Sequence, residues 1–188
     1  MAGDIRPTKN ELFALKNRIR IANRAYNTLN MKLDGLILEV SRLAPEVKKE
    51  HDLLMVRYNR VKHLLAPAYM IEGMLNVTIA AYSVESRIDI GFSKRNVYGI
   101  SIPVISGTDV RKDLTERGYG LLGSSLVIDD LADAYEGLVE AIIQYAGNAM
   151  ALNLLVKEIE RLSRRVKALK NQVIPSMEEN ITIISRVR

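Results

Sequence analysis

The chain has 188 residues, of which 48% are hydrophobic but only 5% aromatic, and it contains no cysteine, no tryptophan and two histidines. This composition excludes a disulfide framework, thiolate chemistry and cysteine-based metal centres, and it favours an aliphatic, mainly helical core. The 27 basic and 22 acidic side chains give a net charge of +5, which taken alone suggests an anionic partner.

The charge is unevenly distributed along the chain. Residues 1–32 and residues 161–188 each carry seven basic and two acidic side chains, whereas residues 33–160 carry 13 basic and 18 acidic ones. Both ends of the chain are therefore basic, and its middle is acidic.

No export signal or membrane span is evident. The first twenty residues lack the apolar core of a signal peptide. The most apolar window, Leu64 to Tyr82, contains Pro67, Glu72, Gly73 and Asn76, which a transmembrane helix does not place at its centre. We therefore expect a soluble protein with no transmembrane segment.

The first predicted element is a long helix over residues 1–67. Thr8-x-x-Glu11 predicts a capping box at its start, and Pro67 predicts its end. Apolar residues follow in alternating steps of three and four, which is the spacing of a coiled-coil seam; Pro45 lies in frame and predicts a kink. The 16 seam positions, 14 of them apolar, are Leu12, Leu15, Ile19, Ala22, Tyr26, Leu29, Leu33, Leu36, Val40, Leu43, Val47, Glu50, Leu54, Arg57, Val61 and Leu64.

The middle segment, residues 68–123, has a different pattern. Apolar residues alternate from Ile88 to Phe92 and again from Ile100 to Val104, which predicts a β-hairpin over about residues 86–105. We expect Ser93–Asn96 to follow the first strand, and Pro103 and Gly107 to limit the pairing of the second. Residues 68–82 are predicted to be helical, and residues 109–117 to form a short helix or a loop.

The last predicted element is a second long helix over residues 124–188. Its seam runs in steps of three and four from Ile128 to Val187, with Pro175 in frame. A neighbouring apolar stripe, which includes Leu155, Leu162 and Leu169, predicts a shift of the seam in that region. Because the connecting segment is shorter than either helix, we expect an antiparallel coiled coil that brings the two basic ends together. The fold class is mainly α.

Three local patterns have an ordinary structural reading. Gly118 to Gly123 matches G-x-G-x-x-G, but no strand precedes it, so a glycine-rich turn is favoured over a dinucleotide site. His51 and His63 are too far apart along one helix to share a metal. The acidic pair Asp129-Asp130 predicts solvated charge on a helix. We predict no catalytic residue, metal or cofactor.

Taken together, three stretches resemble the D subunit of the V-type and archaeal A-type rotary ATPases. The first contains Pro7-Thr8-Lys9, Leu12, Leu15-Lys16, Arg18, Ala22, Arg24 and Lys32-Leu33-Asp34. The second contains Arg95 to Pro103 and Arg117 to Ser125, and the third contains Arg164 to Leu169, Val173-Ile174-Pro175 and Asn180-Ile181. Lys167, Lys170 and Asn180 depart from the family pattern. Family members continue past the equivalent of Arg188, so we expect a longer natural chain.

The resemblance implies a non-catalytic central-stalk subunit that couples ATP hydrolysis or synthesis to H⁺ or Na⁺ translocation by rotation. The implied partners are the A and B subunits of the catalytic ring, the F subunit of the stalk and a lower-stalk subunit. The implied location is cytoplasmic and peripheral to the membrane. No nucleic acid is expected as a partner.

Two interfaces follow from this resemblance as hypotheses. The ring-facing tip comprises Lys9, Lys16, Arg18, Arg20, Arg24, Arg161, Arg164, Arg165 and Lys167. The surface for the F subunit and lower stalk comprises Ile88, Ile90, Phe92, Arg95, Asn96, Val97, Ile100 and Ile102. The alternative is a free-standing coiled-coil adaptor whose basic tip binds an anionic membrane or polyanion.

Overall fold

The computed structural model describes residues 8–84, 88–108, 110–112, 117–118 and 126–186. In chain order these residues form α1 (Lys9–Ser83), β1 (Asp89–Val97), β2 (Ile100–Thr108), α2 (Leu126–Ala168), a π-helical turn (Leu169–Val173) and α3 (Ile174–Arg186). The predicted fold class, two long helical segments separated by an antiparallel hairpin, is confirmed.

The chain divides into two compact units. The terminal unit comprises Met1–Ser41 and Leu154–Arg188, and the middle unit comprises Arg42–Asn153. The terminal unit therefore contains helical segments from both basic ends of the sequence, as the antiparallel arrangement predicted.

Aliphatic side chains form the core of the terminal unit. Leu36 of α1 and Leu155, Leu162 and Ile184 of the C-terminal segment are almost completely buried. Every one of the 16 seam positions predicted along α1 is buried or half-buried. At the start of α1, the Oγ1 of Thr8 accepts a hydrogen bond of 3.3 Å from the backbone N–H of Glu11, which is one of the two bonds of the predicted capping box.

The C-terminal seam shifts as the neighbouring stripe predicted. Leu155 is fully buried, whereas Val156, which the unshifted pattern placed on the seam, is 38% exposed. In the π-helical turn, the N–H of Ile174 bonds to the carbonyl of Leu169, five residues earlier. This wider turn precedes Pro175, which has no N–H and whose ring clashes with the preceding turn of a regular α-helix. The extra residue also changes the phase of the helix.

In the middle unit, α1 and α2 pack in antiparallel directions. Val61 contacts Ala134 and Leu138. Further along α1, Ala68 belongs to a cluster with Leu131, so the α2 partner moves towards its N-terminus as α1 advances. This order of contacts defines an antiparallel pair.

The predicted end of the first helix at Pro67 is wrong. α1 contains both Pro45 and Pro67, and its break lies at Gly73, where φ is 77° and ψ is 155°. Both prolines lie on the exposed side of the helix, where water can solvate the backbone carbonyls that a proline leaves unpaired. A residue with a Cβ does not adopt the Gly73 conformation, so glycine and not proline interrupts the helix. Residues 68–82 are helical on both sides of this break, as predicted.

The hairpin is longer than predicted, and its turn is in a different place. Tyr98 and Gly99 have φ values of 50° and 82°, the positive pair that a two-residue type I′ turn requires. The side chain of Asn96 supports the turn by accepting a 2.8 Å hydrogen bond from the N–H of Gly99. Ser93–Asn96 consequently belong to β1 and do not follow it.

Pro103 and Gly107 lie within β2 and do not limit its pairing. Pro103 stands opposite Lys94, and the closing pair of the hairpin is Val97 with Ile100. Counted from that closing pair, Pro103 occupies a position whose N–H points away from β1, so the missing donor costs no ladder hydrogen bond.

Two further predictions concern segments that the structure describes only in part. Of residues 109–117, 109 and 113–116 lie outside the described residues, as do 119–123 of the glycine motif.

Within the described chain, α1 and the helical run Leu126–Arg186 each contain a window apolar enough to cross a membrane by length and composition alone. At 75 and 61 residues, both are several times longer than the ~20 residues that a span requires.

The burial of Ile102 predicts the effect of truncating it. Ile102 of β2 is 2% exposed, whereas Phe92 of β1 is 75% exposed. We expect Ile102→Ala to lower the free energy of unfolding by ~2–5 kcal/mol, because it removes a buried side chain and leaves a cavity. The matched control Phe92→Ala should change it by less than ~0.5 kcal/mol. Urea denaturation measures both, and equal losses would contradict the placement of the hairpin.

Candidate partner-binding surfaces

The nine cations predicted at the ring-facing tip all lie in the terminal unit, and all nine are exposed. The described contacts of these side chains are local: Arg20 bonds to the Oδ1 of Asn17 at 2.7 Å, and Arg161 stands 3.8 Å from Glu158. Within the described residues, the Arg161–Glu158 pair is the only ion pair that any of the nine makes. Their charge is therefore available to an acidic partner.

The terminal unit also exposes apolar side chains that the sequence analysis did not single out. Phe13, Met31 and Leu38 of α1 are between 70% and 74% exposed, and Ile183 of α3 is 54% exposed. These residues are apolar but lie outside the spacing of three and four that marks the seam. That position was the sequence signal that could have indicated an exposed apolar surface. The unit thus presents a mixed basic and apolar surface, which is typical of a protein interface.

The hairpin presents some of its predicted interface residues and not others. Ile88, Ile90 and Phe92 are exposed, as are Arg95 and Asn96. Val97 and Ile100 are half-buried, and Ile102 is buried in the middle unit, so it offers almost no surface to a partner. β1 is exposed along its whole length except at Val97, which makes it the accessible strand.

A third surface was missed by the site predictions. The apolar end surface consists of exposed side chains on either side of the break at Gly73: Tyr69, Met70, Ile71, Met74, Leu75, Ile79, Tyr82 and Val84. Met70 is 87% exposed and Tyr82 is 83% exposed. Residues 64–84 contain a single charged residue, Glu72. The apolar character of residues 64–84 is evident in the sequence, but the sequence analysis interpreted it only as a possible membrane span.

An apolar groove lies within this end of the middle unit. Its walls include Leu65 and Val77 of α1 and Leu131 of α2, and Tyr69, Tyr82 and Tyr135 line it as well. Tyrosines beside an apolar groove supply large contact area together with hydroxyl groups for hydrogen bonds, and such sites bind protein side chains.

Four carboxylates on one face of α2 bind arginines. Asp129, Asp133 and Glu136 surround Arg117. Glu140 accepts hydrogen bonds of 3.2 Å from both Arg57 and Arg111. The sequence analysis interpreted Asp129 as solvated charge, and that interpretation is wrong, because Asp129 is half-buried and its carboxylate lies 4.0 Å from the guanidinium of Arg117.

The environment of Glu140 lowers the pKa of its carboxyl group. Burial raises the pKa of the carboxyl, but the hydrogen bonds and positive charges of Arg111 and Arg57 outweigh burial and hold the pKa below its ordinary value of 4.5. The carboxylate is therefore stabilised in its charged form.

Metal ions are held in proteins by clusters of side chains such as His, Asp and Glu. Within the described residues, no group of three or more His, Asp or Glu residues is arranged to hold a metal ion. His51 lies 3.4 Å from Asp52, and its ring centroid is 5.7 Å from that of Tyr145 on α2. The described chain places both histidines on the exposed side of α1.

Comparison with known proteins identifies relatives over nearly the whole chain. Residues 11–187 match the family model for the D subunit of ATP synthase. The D subunit of the A-type ATP synthase of Methanoregula boonei is 42% identical, with 94% of this chain and 84% of the relative aligned. The corresponding protein of Archaeoglobus fulgidus is 38% identical, with coverages of 97% and 88%. That of Haloquadratum walsbyi is 38% identical, with coverages of 96% and 78%.

The lowered pKa of Glu140 predicts a pH-dependent stability. Because the folded pKa is below the unfolded one, Glu140 stabilises the fold above the unfolded pKa of about 4.5, and this contribution is lost as the pH falls through the folded pKa. We expect Glu140→Gln to be less stable than the parent at neutral pH and to approach it in acid. Urea denaturation from about pH 3 to about pH 7 measures this. The control, Asp130→Asn on the same helix, should show no such convergence, and a pH-independent loss in Glu140→Gln would contradict the pairing.

Proposed function

The chain belongs to the family of ATP synthase D subunits, and on that premise we propose that it is the central-stalk axle of an A/V-type rotary ATPase. In this role it couples ATP hydrolysis or synthesis in the A/B ring to H⁺ or Na⁺ translocation by rotation, and it has no active site of its own. The observation that carries the proposal is the terminal unit, where both ends of the chain combine nine exposed cations with exposed apolar side chains.

The terminal unit has the properties that an axle inside a ring requires. Its aliphatic core, with Leu36, Leu155 and Leu162 almost fully buried, makes the helices a firmly packed element. Its cations can pair with acidic groups of a surrounding ring, and Phe13 and Met31 can contact apolar groups there. Because the surface is not symmetric, its rotation presents different contacts to successive catalytic interfaces. Such differential contact can bias their conformations.

The middle unit provides surfaces for the remaining partners. We infer that the F subunit binds the exposed strand β1, with Ile90 and Phe92 as apolar contacts. The apolar end surface suits the lower-stalk subunit, because a patch with one charge in 21 residues favours an apolar protein partner over an anionic one. On this proposal the protein works in the soluble sector of the assembled machine, peripheral to the membrane.

Charge reversal tests the ring-facing assignment. We expect the combined change of Arg18, Arg24, Arg164 and Arg165 to Glu to weaken assembly with the A/B ring at least ~10-fold, because four attractive contacts become repulsive. The control carries the same four charge reversals at exposed cations of the middle unit, Lys48, Lys49, Arg60 and Lys62. Reconstitution with the isolated ring and its stimulated ATPase rate are the measurements. Unchanged assembly of the terminal variant, or equal loss in the control, would refute the assignment.

A point substitution tests the F-binding strand more sharply than deletion of the hairpin. Phe92→Asp places a charge in the proposed apolar contact and should weaken F binding ~10-fold or more, whereas Ser106→Asp on β2 should leave it unchanged. Deleting residues 87–103 should abolish binding. Titration calorimetry with the purified F subunit measures all three. If Phe92→Asp and the deletion variant both bind F with full affinity, F does not bind this strand.

The alternative adaptor function has its own support in the exposed cations and neighbouring apolar side chains of the terminal unit, a combination that also suits an anionic membrane. Vesicles of phosphatidylserine and duplex DNA are the probes. Binding that falls steeply with salt, together with no affinity for F or the ring, would favour the adaptor. Stable copurification with F and stimulation of ring ATPase would favour the axle.

A further inference from the structure

We propose that Arg117 and Gly118 form a clamp that fixes the last helical segment of α1, residues 74–83, against the first turns of α2. Residues 74–83 carry half of the apolar end surface, namely Met74, Leu75, Ile79 and Tyr82. The clamp therefore sets the orientation of that surface. Its link to the lower stalk rests on the proposed function, but the clamp itself is a property of the isolated chain.

Arg117 anchors the clamp to α2. The residue is 3% exposed, the only buried charged side chain in the described chain. Its Nε and Nη2 donate to the two carboxylate oxygens of Glu136 at 3.1 and 3.0 Å, a bidentate pair. Nη2 also donates to Asp133, and Nη1 donates to the carbonyl oxygen of Asp129 at 3.5 Å. A guanidinium held by three successive turns of one helix has little freedom to move.

Gly118 transmits this anchorage to α1. Its φ is +75°, and a Cβ at this position would stand 2.2 Å from the carbonyl oxygen of Ser83, the last residue of α1. The contact is between two backbones, so no side-chain rotation could relieve it. The close approach therefore requires glycine, which explains one glycine of the motif that resembles a dinucleotide-binding loop.

The break at Gly73 is what makes a clamp necessary. A Cβ added at Gly73 would meet nothing within 4 Å, and the Nδ2 of Asn76 bridges the break by donating a 2.9 Å hydrogen bond to the carbonyl oxygen of Glu72. This local bond leaves the far end of residues 74–83 to be positioned by contacts with other parts of the middle unit, and two such contacts are described. Val77 joins the cluster of Ala68 and Leu131, and Ser83 meets Gly118. Gly73 is thus a pivot, and Arg117 with Gly118 secures the far end of the segment that turns on it.

Hydrogen–deuterium exchange on the isolated 188-residue chain tests the clamp. Gly118→Ala and Arg117→Met should each raise exchange in residues 74–83 by about 10-fold or more, because the end of the segment is released. Exchange in the terminal unit and in the hairpin should stay unchanged. Arg117→Lys keeps the charge but loses the bidentate geometry, so its effect should be intermediate.

Two matched controls separate the clamp from a general loss of stability. Gly137→Ala introduces a Cβ whose nearest neighbour is the flexible end of Arg57 at 3.9 Å, and Arg111→Met removes an exposed arginine from Glu140. Neither should change exchange in residues 74–83. Parent-like exchange there in both Gly118→Ala and Arg117→Met would overturn the proposal. An equal rise in exchange throughout the middle unit would overturn it as well. If Gly118→Ala and Arg117→Met fail to fold, Arg117→Lys serves as the test, and an equal rise throughout the middle unit in that variant would overturn the proposal.

The same variants distinguish failure of the clamp from failure of the proposed function. In a reconstituted complex, we expect Gly118→Ala to weaken binding of the lower-stalk subunit and to leave stimulation of ring ATPase unchanged. Raised exchange with undiminished lower-stalk binding would support the clamp and overturn the assignment of the apolar end surface. Parent-like exchange with weakened binding would overturn the clamp and leave that assignment standing.

Discussion

The antiparallel register of α1 and α2 in the middle unit is the constraint on which its other features depend. The α1 seam is apolar except at Glu50 and Arg57, and both exceptions bond across to α2. Glu50 accepts a 2.7 Å hydrogen bond from Asn148, and Arg57 donates to the carbonyl of Gly137 and to Glu140. Apolar contacts tolerate sliding, whereas hydrogen bonds that form in only one alignment oppose it. A slip of one helical turn would break these hydrogen bonds between part-buried groups, so the bonds define which residues of α2 face the hairpin and the segment around Arg117.

This register explains why the hairpin and the Arg117 segment fit where they do. β2 approaches α2 at Gly147, where an added Cβ would lie 3.4 Å from the Cβ of Ile105, and Gly107 approaches Ile143 of α2 still more closely. The face of α2 that carries Asp129, Asp133, Glu136 and Glu140 faces the arginines that neutralise it. Small residues are therefore found where a strand approaches the helix, and acidic residues where guanidinium groups do. One helix thus meets three different neighbours along its length.

The sequence predicted those features that depend on a repeating local pattern. The steps of three and four predicted the α1 seam, because the spacing of apolar side chains determines which face of a helix can be buried. The spacing did not predict the break at Gly73. Proline is the stronger local signal for the end of a helix, but Pro67 lies on the exposed side of α1 and the helix continues through it. The hairpin turn was misplaced because alternation ends before the strand does, and Tyr98 adopts a positive φ that its residue type does not suggest. The carboxylates around Arg117 depend on contacts with a residue 12 to 19 positions earlier in the chain, which no periodicity encodes. The apolar character of the end surface is evident in residues 64–84, but its exposure depends on the packing of α1 and α2.

The distribution of charge acquires a physical meaning once the pairing is known. In the middle unit, carboxylates of α2 hold Arg57, Arg111 and Arg117, so the charge of these three arginines contributes to the fold itself. Four other cations of that unit, Lys48, Lys49, Arg60 and Lys62, are exposed. In the terminal unit the nine cations project into solvent, and within the described residues Glu158 is the only acid that pairs with any of them. Paired charge costs desolvation but fixes geometry, whereas exposed charge contributes little to stability and remains available for binding. The net charge of +5 is therefore a weak guide to the partner. The informative quantity is the positive charge that remains exposed after folding, and nine such cations lie in the terminal unit.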